Sequence, residues 1–181
     1  MINYFYNKIK SSIIESYDNS LKELNLNKTV CPKCKAKGCF KAHGWYDRHV
    51  IALLDNQVIH EIIMVKRVKC QSCKSTHALL PSFILPYHSY TYSVILKCLD
   101  EKVICKRKIH EITDLMGISF QLLYTWMKRF KSQHAQSFFV FEKGRMTLKE
   151  CLHSILTDFN WFLSQYFKEH RYLFMQINQS T

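Results

Sequence analysis

The chain has 181 residues, 48% of them hydrophobic and 14% aromatic, and carries a formal net charge of +12. That composition excludes a disordered polyelectrolyte and supplies the apolar material for one or two small folded domains. With only four glycines and three prolines, a turn-rich all-β fold is excluded too, and helix should dominate outside any metal module.

The charge is concentrated in the middle. Residues 1–27 are neutral, residues 28–80 carry ten Lys and Arg against three acids, residues 81–131 eight against four, and residues 132–181 five against four. A basic centre with near-neutral flanks is the electrostatic footprint of a nucleic-acid binder, because each neutralised phosphate releases condensed counterions. A merely soluble basic surface is the competing reading.

Residues 1–27 read as an N-terminal helical segment, one or two short helices with Tyr4, Phe5, Ile9, Ile13 and Ile14 near helical spacing. No chemistry is visible there. Its first ten residues lack the uninterrupted apolar core of a secretory signal, and no later run reaches the ~18 apolar residues of a membrane span. A cytoplasmic protein without a membrane partner is expected, in which eight cysteines mean metal ligands and reduced thiols, disulfides being rare there.

Residues 28–80 hold Cys31-Pro32-Lys33-Cys34 and Cys70-Gln71-Ser72-Cys73, separated by 35 residues. Two residues between thiolates let one tight turn present both sulfurs to a metal, and two such turns complete a tetrahedral shell. Cys31, Cys34, Cys70 and Cys73 are therefore the expected ligands of one structural Zn2+, with no open position for catalysis. A redox pair or disulfides are the weaker alternatives. Cys39 or His43 could replace one thiolate, and His49 and His77 read as surface or second-sphere groups. Between the pairs, Cys39–Trp45, Arg48–Leu54 and Val58–Val68 are rich in β-branched and aromatic residues, with a turn at Asp55-Asn56-Gln57. This is a zinc ribbon with an extended hairpin. Lys66, Arg67 and Lys69 before the second pair could face a phosphate backbone or simply water.

In residues 81–131, Pro81 and Pro86 bracket an extended joint, followed by a helix over Tyr92–Lys102 and a second from Lys106 to Met116. Gly117-Ile118-Ser119 then reads as a left-handed glycine ending one helix and a serine capping the next, the tight turn of a helix-turn-helix. Ser119, Phe120, Gln121, Tyr124, Thr125 and Lys128 would face the major groove, and Arg129 and Lys131 the phosphates. An ordinary helical hairpin with Leu123 and Trp126 in its core is the competing reading. Cys98, Cys105 and Cys151 read as small buried hydrophobes.

Residues 132–181 form a C-terminal helix opened by a Thr147–Glu150 capping box. Its wide apolar stripe, from Leu148 to Phe167, serves either packing on the preceding helices or a homodimer.

Cys-Pro-x-Cys at 31–34, Gly-Trp-Tyr-Asp-Arg at 44–48, Arg-Val-Lys-Cys-Gln-Ser-Cys at 67–73, Thr-His-Ala-Leu-Leu-Pro at 76–81 and the helix-turn-helix after them resemble a bacterial family of uncharacterised proteins. Those proteins in turn resemble the N-terminal zinc-ribbon and helix-turn-helix modules of insertion-sequence transposases. The resemblance covers about residues 28–131 and implies DNA binding with the four cysteines as metal ligands. It does not extend to an RNase H-like catalytic domain or a trio of acidic residues.

The expectation is thus a mainly α protein with a small β zinc ribbon, α+β overall, that binds double-stranded DNA in a transposase-like way without enzymatic activity. No Gly-rich phosphate loop and no nucleophile with an obvious base is present. A zinc-ribbon module for protein or RNA interaction is the alternative of a different class.

Overall fold

The structure is a computed structural model that describes residues 1–6, 8, 12–141, 144–170 and 173–176. Of these, 46% are helical and 24% lie in strands. The chain divides into two units, Met1–Thr91 and Tyr92–Thr181. It is a mixed α/β protein, with more strand than a small ribbon alone would contribute.

In the first unit, β1 (Ile2–Tyr4), α1 (Ile13–Glu23), β2 (Phe40–Leu54), β3 (Gln57–Cys70) and β4 (Thr76–Pro81) build a four-stranded sheet in the order β1-β4-β3-β2. Asp55 and Asn56 both take positive φ, 48° and 61°, the backbone of a two-residue hairpin whose twist matches its strands. Pairing runs antiparallel from Leu54↔Gln57 to Phe40↔Cys70, broken once between Ala42 and Trp45. Gly44 lies in that break with φ 105°, a backbone state that favours glycine, so the three expected strands are two long ones with a bulge.

The N-terminal segment is not purely helical as expected. Ile2–Tyr4 is a strand paired parallel to β4, because a short apolar run with no helix-starting residue gains more from an open sheet edge than from a marginal helix. The helix begins at Ser12, whose side chain accepts from Glu15 N–H. Ile9 falls outside the described residues. Tyr17 locks α1 to the sheet: its buried hydroxyl accepts from Lys66 N–H at 2.9 Å and donates to Leu79 O at 3.1 Å. Glu61 Oε2 accepts from Ile14 N–H at 2.9 Å and Ser12 Oγ at 3.2 Å, bringing a carboxylate from β3 to the start of the helix.

Strand alternation places Val50, Ala52, Ile63 and Val65 in one core with Ile13, Tyr17, Leu80 and Ile84. Each fully buried aliphatic side chain contributes about 1.5–3 kcal/mol relative to exposure. A second cluster of Ile2, Val68 and Leu79 lies nearer the cysteine loops.

The second unit contains α2 (Tyr92–Val103), α3 (Ile109–Met116), α4 (Phe120–Phe141), α5 (Leu148–Thr157) and α6 (Phe159–His170). Val94, Ile95, Cys98 and Leu99 are buried on α2, as their spacing requires. The helix expected to end near residue 131 continues to Phe141. The single C-terminal helix is two: Asp158 leaves helical geometry with φ −143° and its Oδ1 accepts from Trp161 N–H at 3.0 Å, starting α6. The capping box is formed as expected, with Thr147 Oγ1 accepting from Glu150 N–H and Glu150 Oε2 accepting from Thr147 N–H. Cys151, Leu152, Ile155, Phe162, Leu163 and Tyr166 from the apolar stripe are buried. Of the three isolated cysteines, Cys98 and Cys151 are buried, whereas Cys105 is exposed between α2 and α3, where helix geometry has ended and no face is imposed.

The approach to α3 is fixed electrostatically. Glu101, 5% exposed, pairs with Lys97 at 2.8 Å and Arg107 at 3.1 Å. Lys97, with Arg107 adding, holds its carboxyl below the usual carboxylate range against the opposing effect of burial. A carboxyl depressed in the folded state stabilises above its unfolded pKa and loses that contribution as pH falls. Glu101→Gln should therefore lower the melting temperature at pH 7, and thermal melts across a pH series should show the gap to the parent narrowing through the carboxylate range. A gap independent of pH would mean that the effect is packing alone.

Candidate metal centre and nucleic-acid interface

The two Cys-x-x-Cys loops fold alike. Cys31 N–H donates to Ala36 O and Lys35 N–H to Cys31 O, while Cys70 N–H donates to Ser75 O and Lys74 N–H to Cys70 O, all at 2.9 Å. Lys35 and Lys74 take left-handed φ of 63° and 61°, which turns each chain away once both thiols have been presented. Gly38 seats the first loop: its N–H donates to Thr29 O at 2.9 Å, and a Cβ there would lie 2.8 Å from Asn27 O. The second loop joins the first through Gln71 N–H, which donates to Cys39 O at 2.7 Å.

The sulfurs of Cys31, Cys34, Cys70 and Cys73 all lie within 4.8 Å of one another. Cys31 is 3.7 Å from Cys73 and Cys34 is 3.6 Å from Cys70. A tetrahedron with metal–sulfur bonds of ~2.3 Å has edges of ~3.8 Å, close to these two distances, so the four thiols could hold a metal ion. The residues that were expected to converge do so.

Ionisation is uneven among them. Backbone N–H groups of Cys73 and Ser72, with the neighbouring thiols, draw Cys70 down to about 6 against the effect of burial. Ser75 lowers Cys73 through side chain and backbone. Cys34 receives help from Ala36 N–H, but desolvation and the crowding of Cys31, Cys70 and Cys73 raise it to about 12. A cation removes that crowding penalty by binding every sulfur as thiolate.

Two more donors stand beside the four. Cys39 Sγ is 3.2 Å from Cys70 Sγ, and its thiol is raised by that contact. His77 is buried, with Nε2 3.4 Å from Cys31 Sγ, and its pKa is lowered by desolvation first, then by the positive N-terminus and Lys33. His77 is thus a neighbour of the cluster and not a surface group. Its place in Thr76-His77-Ala78, three residues past the last cysteine loop on a strand with alternating burial, was the available sequence signal. His43 and His49 are exposed.

The helical candidates lie in the second unit. Gly117 adopts φ 60°, ψ 36°, and Ile118 N–H donates back to Thr113 O at 3.1 Å, closing α3. Ser119 Oγ then accepts from Leu122 N–H at 3.3 Å and starts α4. Ile112, Met116, Ile118, Leu123 and Trp126 are buried, so this turn forms as its residues require. Ser119, Phe120, Gln121, Tyr124, Thr125, Lys128 and Lys131 are exposed, Phe120 and Tyr124 by more than half. Arg129 differs. It is half-buried, its Nη1 donates to Met175 O at 2.9 Å, and desolvation lowers its pKa; it ties α4 to the end of the described chain.

A family model described as a domain of unknown function (DUF6431) matches residues 31–115. The match starts at the first cysteine of the cluster and ends inside α3, so it includes all four clustered thiols and leaves out α4. No curated protein and no solved structure matches the chain. No helix among the described residues is long and apolar enough to cross a membrane.

Titration of the reduced protein with a divalent thiophilic metal should saturate at one ion per chain. Cys34→Ser or Cys73→Ser should abolish that saturation, whereas Cys39→Ser should preserve it; loss in the Cys39 variant would place that residue among the ligands. Binding at pH 7 should also acidify a weakly buffered solution, since Cys34, raised to about 12, is a thiol there and must give up its proton. A pH electrode that registers no proton release would exclude thiolate ligation by Cys34.

Proposed function

We propose that the chain is a non-enzymatic, zinc-stabilised protein that binds double-stranded DNA through α3 and α4, akin to the N-terminal modules of insertion-sequence transposases. Zinc suits four thiolates in a tetrahedral shell, and a closed shell of protein ligands gives the ion a structural role. Binding energies of roughly 10–16 kcal/mol for such sites rival the stability of a whole domain, so the ion and the fold of the first unit stand or fall together.

The observation that carries the DNA reading is the turn at Gly117 and Ser119, which launches α4 with one face packed and the other open to solvent. Gln121 can make a bidentate contact with adenine in the major groove, and Phe120 can meet a thymine methyl. Lys128 and Lys131, about two and three turns beyond Gln121, suit phosphates, which fix register without reading sequence. The basic centre of the chain adds a long-range attraction to the duplex.

A duplex selected from random sequence should bind with an affinity that falls steeply with salt, at a log-log slope of about −0.9 per neutralised phosphate. On that duplex Gln121→Ala should cost about 1–3 kcal/mol, with little effect on a scrambled one, while Lys128→Ala weakens both alike. Equal losses for Gln121→Ala on the two duplexes would leave α3 and α4 as a structural hairpin.

A further inference from the structure

One face of the first unit's sheet opens into a cleft of about 310 Å³ whose lining includes Tyr46, Arg48, Ala78, Tyr87 and His88. The strand register extends the floor of this cleft. Tyr46 lies opposite Val65, Ala78 opposite Arg67, and Lys69 opposite both Lys41 and Thr76. Residues directly opposite each other, and residues two apart along one strand, share a face. Arg67, Lys69 and Lys41 therefore continue the face of Tyr46 and Ala78, whereas Trp45, Asp47 and Lys66 take the reverse side. Residues 24–46 contain five lysines and residues 62–91 four Lys or Arg, with no Asp or Glu in either stretch. The one acid that β2 and β3 place on the cleft's face is Glu61, about 20 Å along β3 from Arg67, and its Oε2 accepts from Ile14 N–H and Ser12 Oγ. No described carboxylate pairs with Lys41, Arg48, Arg67 or Lys69. Lys41 and Lys69 even stand directly opposite each other, an arrangement that repels until an anion comes between them.

The walls of the cleft are aromatic and held in place. Tyr87 is the third residue of a turn closed by His88 N–H, which donates to Leu85 O at 3.3 Å. It takes φ 63°, where glycine is unstrained and a bulky residue is not. Its ring is nevertheless 58% exposed. Arg48 Nη2 donates to the carbonyls of Leu85 and His88, which fixes this turn over β2 and leaves the guanidinium charge without a counter-ion. Tyr46, also exposed, meets the same cleft from β2. A small phosphorylated compound calls for cations that converge on one point. Arg67 and Lys69, about 6.8 Å apart along their strand, and Lys41 beside Lys69 trace a line instead. Rings at one end and a line of cations leading away match a chain in which flat bases alternate with phosphates. The bases must be unpaired, because a duplex buries their π-faces in its stack, and stacking on an aromatic ring tolerates any sequence.

We propose that this cleft and the cations beyond it bind single-stranded nucleic acid, with one base stacked against Tyr46 and Tyr87 and successive phosphates over Arg67, Lys69 and Lys41. The site belongs to the first unit and does not depend on the duplex reading of α4.

The test uses the full-length, metal-loaded chain and follows the anisotropy of fluorescein-labelled oligothymidylate and oligouridylate. At least one of the two should bind; binding of neither would overturn the proposal. Tyr87→Gly removes the ring and relaxes the turn, so it should keep the parent's melting temperature while weakening strand binding by about 5- to 150-fold, the loss of one base stack. Tyr87→Phe, which keeps a stacking ring, should retain most of the affinity, and an abasic strand should bind the parent more weakly by a factor similar to that of Tyr87→Gly. The double variant Lys41→Gln, Lys69→Gln should lower the log-log salt slope by about 1.4, two single-strand phosphates at ~0.7 each. Trp45→Ala, on the reverse side, should leave strand affinity unchanged. Equal affinity for the abasic and thymidylate strands, an unaltered salt slope in the lysine variant, or thymidine triphosphate that competes as well as the strand at equal nucleotide concentration would each overturn the proposal. Duplex affinity should survive Tyr87→Gly and single-strand affinity should survive Gln121→Ala, so that either reading fails without the other.

Discussion

The convergence of four thiols on one point is the constraint from which the rest of the first unit follows. Thirty-five residues separate the two cysteine loops in sequence, and their sulfurs come within 4.8 Å because the intervening chain folds back on itself once. The long hairpin does that, its last pair Phe40↔Cys70 ending at the cluster. Because β4 leaves the second loop directly, the cluster also sets where β4 adds to the sheet, and β4 in turn offers the edge on which β1 lies. The crowded sulfurs ionise unequally, Cys34 being raised and Cys70 lowered by their neighbours. An ion held by these four thiols would couple its own binding to the folding of this region.

Polar anchors supplement the apolar core of the first unit. Tyr17 reaches two strands with one hydroxyl, and Arg48 Nη2 gathers the carbonyls of Leu85 and His88, pinning the segment after β4 to the ribbon. Such charge-assisted contacts to backbone are directional where hydrophobic burial is not. The second unit relies on aromatic packing instead: Phe162 stands edge-on to Phe174 at 5.1 Å and stacks with Phe141 at 5.3 Å.

Local chemistry was legible in the sequence wherever one residue type dictates one geometry. The paired cysteines, the Asp55-Asn56 turn, the left-handed Gly117, the Ser119 cap and the Thr147–Glu150 box could each be read from a few residues. Features decided by partners distant in sequence were not. The strand at Ile2–Tyr4 depends on an edge supplied by residues 79–81, and the proximity of Cys39 to Cys70 depends on a register set by the whole hairpin. Asp158 splits the C-terminal segment by capping with its side chain, which competes with the apolar periodicity running through it. Arg129 looked like any other cation of its helix until the carbonyl of Met175 was placed beside it.

The turn at Asp55 and Asn56 has a consequence for how this chain tolerates change in length. A two-residue connection leaves no slack, so one inserted residue would have to be absorbed by sliding one strand past the other. Side chains alternate across a strand, and a one-step slide would turn Val50 and Ala52, or Ile63 and Val65, out into water and carry Asp47 or Lys66 inward. Insertions and deletions that the region around Cys105 can accommodate at the surface are thus barred at the far tip of the ribbon, although that tip is among the most solvent-exposed parts of the unit.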